Sequence, residues 1–163
     1  NFKTGAIMSN IQIKKTVENG KNIIEVTGSI DENFNQYTKD IPKEGQVEFT
    51  LKGLKSINST GIREWIKLMQ AMPKAILSFT FCPKIFIDQV NMVSGFLPSN
   101  GKIHSFYVPY YNEDTESEVL LLYKSGENFT EKSVTIQDTY KDAQGTEYEL
   151  DVIKAKYFKF IQG

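Results

Sequence analysis

The period of the apolar residues changes within a short stretch, and this change constrains the fold more than any other feature. In residues 46–51 apolar and polar side chains alternate, which indicates a β-strand with one buried face. Residues 76–81 are short, apolar and aromatic, which predicts a buried strand parallel to the first. Between the two strands the apolar residues follow the spacing of an amphipathic helix: Ile62, Trp65, Ile66 and Met69.

A β-hairpin is predicted ahead of this strand–helix–strand unit. Ile11, Ile13 and Val17 are spaced in a roughly alternating pattern, and the Asn19-Gly20 pair after them is a strong turn signal. The second strand of the hairpin is predicted over residues 22–30, which are rich in β-branched side chains.

Two further helices are predicted around the unit. Asp31 is expected to cap a short helix that runs to Tyr37, because its carboxylate can accept from the free N–H groups at a helix start. A longer helix is expected after Pro83, with its apolar residues on one side. Those residues are Phe86, Val90, Val93 and Leu97.

The second part of the chain has a different pattern. Residues 103–111 and 119–123 are predicted to be strands, and residues 133–136 a third one. Residues 138–145 are predicted to form a polar loop, and residues 150–161 a helix that docks on the strands. This segment is expected to be a β-rich cap on the first part or an oligomer surface.

The expected fold class is therefore α/β: a mixed sheet with helices packed on it, plus a small β-rich C-terminal extension that ends in a helix. The predicted boundaries give a domain over residues 10–103 and the extension over residues 104–163. Residues 1–9 are interpreted as a tag or a disordered start, since Met8 is suited to be the initiator. The first 103 residues carry 13 Lys or Arg against 9 Asp or Glu, and the remainder 6 against 11.

Several classes of function are disfavoured by composition. A formal net charge of −1 lacks the basic character of most nucleic-acid or anionic-membrane binders. No apolar run reaches the roughly 20 residues that cross a bilayer, and residues 1–7 lack the regions of a signal peptide. Cys82 is the only cysteine, so no intrachain disulfide or cysteine-based zinc site can form. We expect a cytoplasmic protein without membrane insertion.

One segment carries a signal for function. Residues 56–62 lie between a predicted strand and a predicted helix, and they combine small hydroxyl side chains with Gly61. A glycine there permits a turn or a close backbone approach. The free N–H groups of a helix start favour an anion, including a phosphate carried by one of the hydroxyls.

The order of these elements resembles the anti-sigma-factor-antagonist (STAS) family over about residues 10–103. Asn58-Ser59-Thr60-Gly61, between the strand and the helix, is similar to the Asp-Ser-Ser-Gly or Asp-Ser-Thr-Gly motif of that family. Gly28-Ser29-Ile30-Asp31 is similar to the Gly-x-x-Asp end of its second strand.

The resemblance implies that Ser59 is the hydroxyl that a partner kinase would modify. Asn58 stands where the family has Asp, which keeps hydrogen bonding and removes a negative charge. The resemblance implies that a partner docks on Asn58, Ser59, Thr60 and Gly61, and the amide at Asn58 departs from the acidic residue that precedes the phosphorylated serine in the family. A structural alternative is that Ser59 or Thr60 only caps the helix. Arg63, the single arginine, could bind a carboxylate or phosphate of the partner.

Other reactive side chains do not form a recognisable constellation. His104 is the only histidine and is predicted to be a surface side chain, and Cys82 a small buried one. The aromatic residues after His104 lack interleaved basic residues, so packing is preferred to base stacking. No catalytic residues, metal or cofactor are therefore predicted.

Two functions remain, both non-enzymatic. The first is a signalling domain, similar to an anti-sigma-factor antagonist, that binds a regulatory protein such as a kinase-like anti-sigma factor and is switched at Ser59. The second is a sensor or transport subunit that binds a small ligand, a nucleotide or a lipid, in a pocket near the same loop. Pairing of an edge strand between chains would make either one an oligomer.

Overall fold

The computed structural model describes residues 10–162, so the expectation for residues 1–9 lies outside it. Within this range the fold is mixed α/β with two sheets. The first sheet is formed by β1 (Gln12–Glu18), β2 (Lys21–Ile30), β3 (Glu44–Thr50), β4 (Leu54–Ile57), β5 (Lys74–Thr80) and β6 (Gly101–Ile103). Its helices are α1 (Ser59–Gln70), α2 (Lys84–Met92) and a 3-10 helix (Phe34–Tyr37).

The first sheet is mixed, as expected. β1 and β2 form the predicted antiparallel hairpin, whereas β2, β3, β5 and β6 run parallel in the order β1-β2-β3-β5-β6. β3 pairs with Asn22 to Glu25 in the first half of β2, and β4 pairs with Gly28 to Ile30 at its end. β4 was not predicted, so Ser56 lies in a strand and not in the turn before α1.

Helices cover only one face of this sheet. Trp65 of α1 and Phe86 of α2 both contact Phe79 of β5, and Phe79 is fully buried. Ile76 of the same strand points to the other face and is 68% exposed. The prediction that β5 is a buried strand is therefore correct for one face alone, because no part of residues 10–162 covers Ile76.

Trp65 is the centre of the first aromatic cluster. It is fully buried, and its indole Nε1 donates to the carbonyl oxygen of Phe96 at 3.0 Å. Since a buried indole N–H needs an acceptor, this bond fixes the loop after α2 against α1. Within residues 10–162 five rings surround Trp65, those of Phe34, Phe49, Phe79, Phe86 and Phe96.

The second sheet is antiparallel, in the order β8-β7-β10-β9. Its strands are β7 (Ser105–Asn112), β8 (Ser117–Lys124), β9 (Thr139–Lys141) and β10 (Glu147–Leu150), followed by α3 (Lys154–Tyr157) and α4 (Lys159–Gln162). The predicted strand 119–123 is confirmed within β8. The predicted strand 103–111 divides at His104 between the two sheets, because the His104 N–H donates to Phe79 O of the first sheet.

Five further predicted elements are wrong in part. The predicted helix after Pro83 ends at Met92, so Val93 and Leu97 lie beyond it. Residues 133–136 form no strand; Val134 makes only an isolated bridge to Phe129. The polar segment 138–145 contains β9, which pairs with β10 although it has no apolar alternation. The predicted helix 150–161 starts in β10 and divides into α3 and α4 at a turn at Phe158. The short helix after Asp31 is of 3-10 type, and Asp31 Oδ1 accepts from Asn33 N at 2.9 Å before it begins.

The two sheets meet at Cys82. Its N–H donates to Ser105 O at 3.1 Å, and its carbonyl oxygen accepts from Tyr107 N at 2.9 Å. Cys82 is fully buried, as predicted, and burial raises the pKa of its thiol. The buried apolar side chains of both sheets form a single cluster, in which Phe106 contacts Phe158. None of the helices in residues 10–162 is both long and apolar enough to cross a bilayer.

Candidate functional site

Helix α1 begins at Ser59, three residues before the predicted apolar stripe, and Asn58 is its N-cap. The Gly61 N–H donates to Asn58 Oδ1 at 2.7 Å, which satisfies one of the free donors of the first turn. The alternative that Ser59 or Thr60 caps the helix is therefore wrong. The amide at position 58 performs this role without a negative charge.

Gly61 sets the position of the helix start. A Cβ at this residue would lie 2.0 Å from the carbonyl oxygen of Ile30, at the end of β2. The same carbonyl accepts from Asn58 N at 3.2 Å. Only glycine fits here, because the helix backbone touches the strand backbone directly.

Ser59 is exposed at the first helical position, and its hydroxyl has no hydrogen-bond partner among residues 10–162. Asn58 performs the capping, so the Ser59 hydroxyl is available to an external group. The helix dipole and the free N–H groups of the first turn favour negative charge at this point.

Arg63 shares a helix face with Ser59, since residues four apart are neighbours on a helix surface. Its side chain is exposed, and Nη2 donates to Thr60 Oγ1 at a long 3.4 Å. On the other side Asn58 Nδ2 donates to Glu32 Oε2 at 3.5 Å. We call Glu32, Asn58, Ser59, Thr60 and Arg63 the helix-start surface. All the predicted site residues lie on it except Gly61, which is buried beneath it.

The sequence did not identify the neighbours of this surface at the strand ends. Ser29 Oγ and Ser56 Oγ, of β2 and β4, share a hydrogen bond of 2.6 Å, and Asn10 Oδ1 accepts from Ser29 N at 3.1 Å. Glu32 lies two residues after the end of β2. The signal was present, because carboxyl ends of parallel strands meet at one edge of a sheet, where α/β proteins bind their ligands.

A groove of about 760 Å³ lies away from the helix-start surface. It lies between α2 and residues 150–159. Asn91 Nδ2 donates to Tyr157 O at 2.9 Å there, whereas Asn91 Oδ1 is buried and has no hydrogen-bond partner within residues 10–162. Smaller grooves of about 250 and 470 Å³ lie beside His104 and beside the acidic residues of β10.

The remaining reactive side chains are dispersed. His104 is exposed, as predicted, and distant in the chain from the helix-start surface. Within residues 10–162 no group of three or more His, Cys, Asp or Glu side chains is arranged to hold a metal ion. Of the aromatic residues after His104, Phe106 and Tyr110 are buried in the core.

Comparisons with models of protein families, with curated proteins and with solved structures give no match to this chain. The geometry of the helix-start surface and of the groove is therefore what bears on the function of the chain.

Proposed function

We propose that this chain is a non-enzymatic, cytoplasmic regulatory domain of STAS type, which binds a regulatory protein such as a kinase-like anti-sigma factor through the helix-start surface. The observation that carries the proposal is Ser59, exposed in the first turn of α1 with an unengaged hydroxyl. Parallel strands that lead into this helix support it, because the resemblance in sequence implies that order.

Phosphorylation of Ser59 is the switch in this proposal. A phosphate adds about −1.5 to −2 charges at pH 7. The helix N-terminus and Arg63 on the same face favour the phosphate, whereas Glu32 beside Asn58 opposes it. A partner that buries the neutral hydroxyl would lose binding, because docking would then desolvate the phosphate.

The test uses the wild-type chain and the variants Ser59→Ala, Ser59→Asp and Ser94→Asp. Ser94 is exposed in the turn after α2, so its variant adds the same charge away from the helix-start surface. Each protein is used to capture partners from an extract of the source cell, and mass spectrometry also examines the peptide that contains Ser59.

We expect at least one protein to bind all chains except Ser59→Asp. With that protein purified, Ser59→Asp should raise Kd about tenfold or more, while Ser59→Ala and Ser94→Asp stay within about threefold. Equal binding by Ser59→Asp and Ser59→Ala would contradict the switch. Phosphate on Ser59 in protein isolated from the source cell would support it directly.

A second candidate is a small-ligand sensor or transport subunit, which the groove favours. A volume of about 760 Å³ is in the range of ligand sites, and Asn91, whose buried Oδ1 has no hydrogen-bond partner among residues 10–162, lies on its wall. Exposed Met92 and Ile153 supply apolar surface, and Lys156 lies on the wall. An amphipathic anion, such as a fatty acid or a nucleotide, fits this combination.

Thermal denaturation with ATP, GTP and oleate separates the two candidates. A ligand that binds only the folded chain raises Tm, and the rise grows with the logarithm of ligand concentration above Kd. The rise in Tm should be smaller in Lys156→Glu than in wild type. It should equal that of wild type in Lys55→Glu, because Lys55 is exposed but lies outside the groove. A Tm that does not move with any of the three would count against this candidate and leave the first one untouched.

A further inference from the structure

Strand β8 is an edge of the second sheet and differs from the other described edges. β1, at one edge of the first sheet, carries exposed charges such as Lys14 and Lys15. β4, β6 and β9, at the remaining described edges, have only three or four residues each. Charge and shortness are the usual protections against pairing between chains. β8 has eight residues, and its centre is Val119-Leu120-Leu121-Leu122.

The backbone direction along β8 follows from its partner strand. Ser105 O accepts from Cys82 N at 3.1 Å, and Tyr107 N donates to Cys82 O at 2.9 Å. Pro109 O accepts from Asp151 N at 3.0 Å. The backbone groups of Ser105, Tyr107 and Pro109 therefore point away from β8.

Along two antiparallel strands, pairs of directly opposite residues alternate between two kinds. In one kind the two residues exchange backbone hydrogen bonds, and in the other kind both direct their N–H and C=O groups away from the partner strand. Tyr107 is opposite Leu122, and Pro109 is opposite Leu120. Leu120 and Leu122 therefore direct their N–H and C=O groups away from β7, and by alternation so does Glu118.

The outward groups of Lys124 are already occupied. Its N–H donates to Asn128 Oδ1 at 2.8 Å, and its carbonyl oxygen accepts from Asn128 N at 2.9 Å. The outward groups of Glu118, Leu120 and Leu122 have no partner in the part of the chain that the structure describes. Leu120, at the centre of the three, is also 53% exposed.

We propose that two copies of this chain pair through β8, antiparallel, with Leu120 opposite the partner's Leu120. In this register each outward backbone N–H or C=O group of one copy meets an outward group of the other. Glu118 lies opposite the partner's Leu122, and Leu122 lies opposite the partner's Glu118. The two second sheets become one continuous sheet. The inference concerns a different surface from the helix-start surface and does not depend on the proposed function.

The charges of β8 argue for a second copy in antiparallel orientation. Glu118 and Lys124 lie at opposite ends of the strand and, an even number of residues apart, on the same face. Antiparallel pairing about Leu120 places Glu118 diagonal to the partner's Lys124, within reach of a long side chain. A parallel arrangement would instead bring the same end of each strand, and so like charges, together.

Sedimentation equilibrium of the full chain tests the proposal. Wild type should show a reversible monomer–dimer equilibrium, and Leu120→Lys should raise its Kd about tenfold or more, because two like charges would face each other at the axis. Ile76→Lys is the matched control, since Ile76 is also an exposed apolar strand residue but lies on the first sheet. This control should dimerise like wild type.

Disulfide trapping tests the register. Opposite Cα atoms in a hydrogen-bonded antiparallel pair are about 5.5 Å apart, within the range that a disulfide spans. Leu120→Cys should form a covalent dimer under mild oxidation and Ile76→Cys should not; the native Cys82 is buried and does not interfere. A wild-type chain that stays monomeric to about 100 µM, or a dimer that Leu120→Lys leaves intact, would overturn the proposal.

Discussion

The backbone N–H of Gly61 donates to the side-chain oxygen of Asn58 at 2.7 Å, and this bond separates two roles that neighbouring residues could have shared. Asn58 performs the structural one by capping α1. Ser59, next to it, is left without a structural task. The helix can therefore tolerate a change at position 59 that it would not tolerate at position 58.

Replacing Asn58 by Ala should lower the free energy of unfolding by about 1 kcal/mol, because the Gly61 N–H loses its acceptor. Asn58→Asp should retain the cap and stay within about 1 kcal/mol of wild type, since a helix N-terminus favours an anion while Glu32 nearby opposes it. Urea denaturation measures both. Ser59→Ala is the control and should change stability by less than about 0.5 kcal/mol; a larger loss would show that Ser59 is structural after all.

Gly61→Ala should destabilise the fold by about 3 kcal/mol or more, since the new methyl group would meet the backbone of Ile30. Gly95→Ala is the comparison. Gly95 has a φ of +84° and no atom within 4 Å of the added Cβ, so only backbone strain of roughly 1–2 kcal/mol is expected. Equal effects in urea denaturation would mean that α1 can move away from β2.

Trp65→Phe should cost about 2–3 kcal/mol, because it removes buried ring volume and leaves the carbonyl oxygen of Phe96 without its donor. Trp65 is the only tryptophan, so its fluorescence should shift to longer wavelength as the wild type unfolds. The variant has no tryptophan, so its unfolding is followed by circular dichroism instead. A wild-type emission maximum that is unchanged in urea would contradict the burial of this ring.

Stability should fall at alkaline pH. Burial is the main cause that raises the pKa of Cys82, Tyr110 and Tyr157 above their ordinary values, and a hydrogen bond with Tyr123 adds to it for Tyr110. The folded chain holds these protons more tightly than the unfolded chain. The contribution of each group to the free energy of unfolding is therefore fully present at pH values below its pKa in the unfolded chain. It is lost as the unfolded groups ionise, above about pH 9 for the thiol and about pH 10 for the phenols.

Urea denaturation from pH 7 to pH 11, with reductant present, checks this dependence. The free energy of unfolding should be level to about pH 9 and then fall, with each buried group contributing at most a slope of order 1 kcal/mol per pH unit. Tyr157→Phe lacks one of the phenols and should fall less steeply above pH 10. A profile that rises above pH 9, or a variant as steep as wild type, would contradict the assignment.

The candidate site was predictable to the extent that it is local. The glycine and hydroxyl residues of 58–61 marked a strand-to-helix turn in the sequence, and the structure places them there. The sequence could not decide which of three polar residues caps α1, because Asn, Ser and Thr are all suitable. The choice depends on Gly61, which brings the helix against Ile30 and so fixes its first turn.

The fold was predictable where the apolar residues kept one spacing, of a strand or of a helix, over the length of a whole element. β1, β2, β3 and α1 satisfy that condition. The sequence could not show that β5 has an open face, since Ile76 is as apolar as Leu77 and the difference between them is tertiary. It missed β9 because this strand is held by backbone pairing with β10 and by Tyr140 against Tyr148, at a ring separation of 6.2 Å.

The contact of Phe106 with Phe158 has a consequence during biosynthesis. Phe106 precedes Phe158 in the chain and leaves the ribosome first. The aromatic core of the second sheet therefore cannot close until the segment around Phe158 has left the exit tunnel. Nascent chains that have not reached this point are therefore the ones on which a chaperone has most to act.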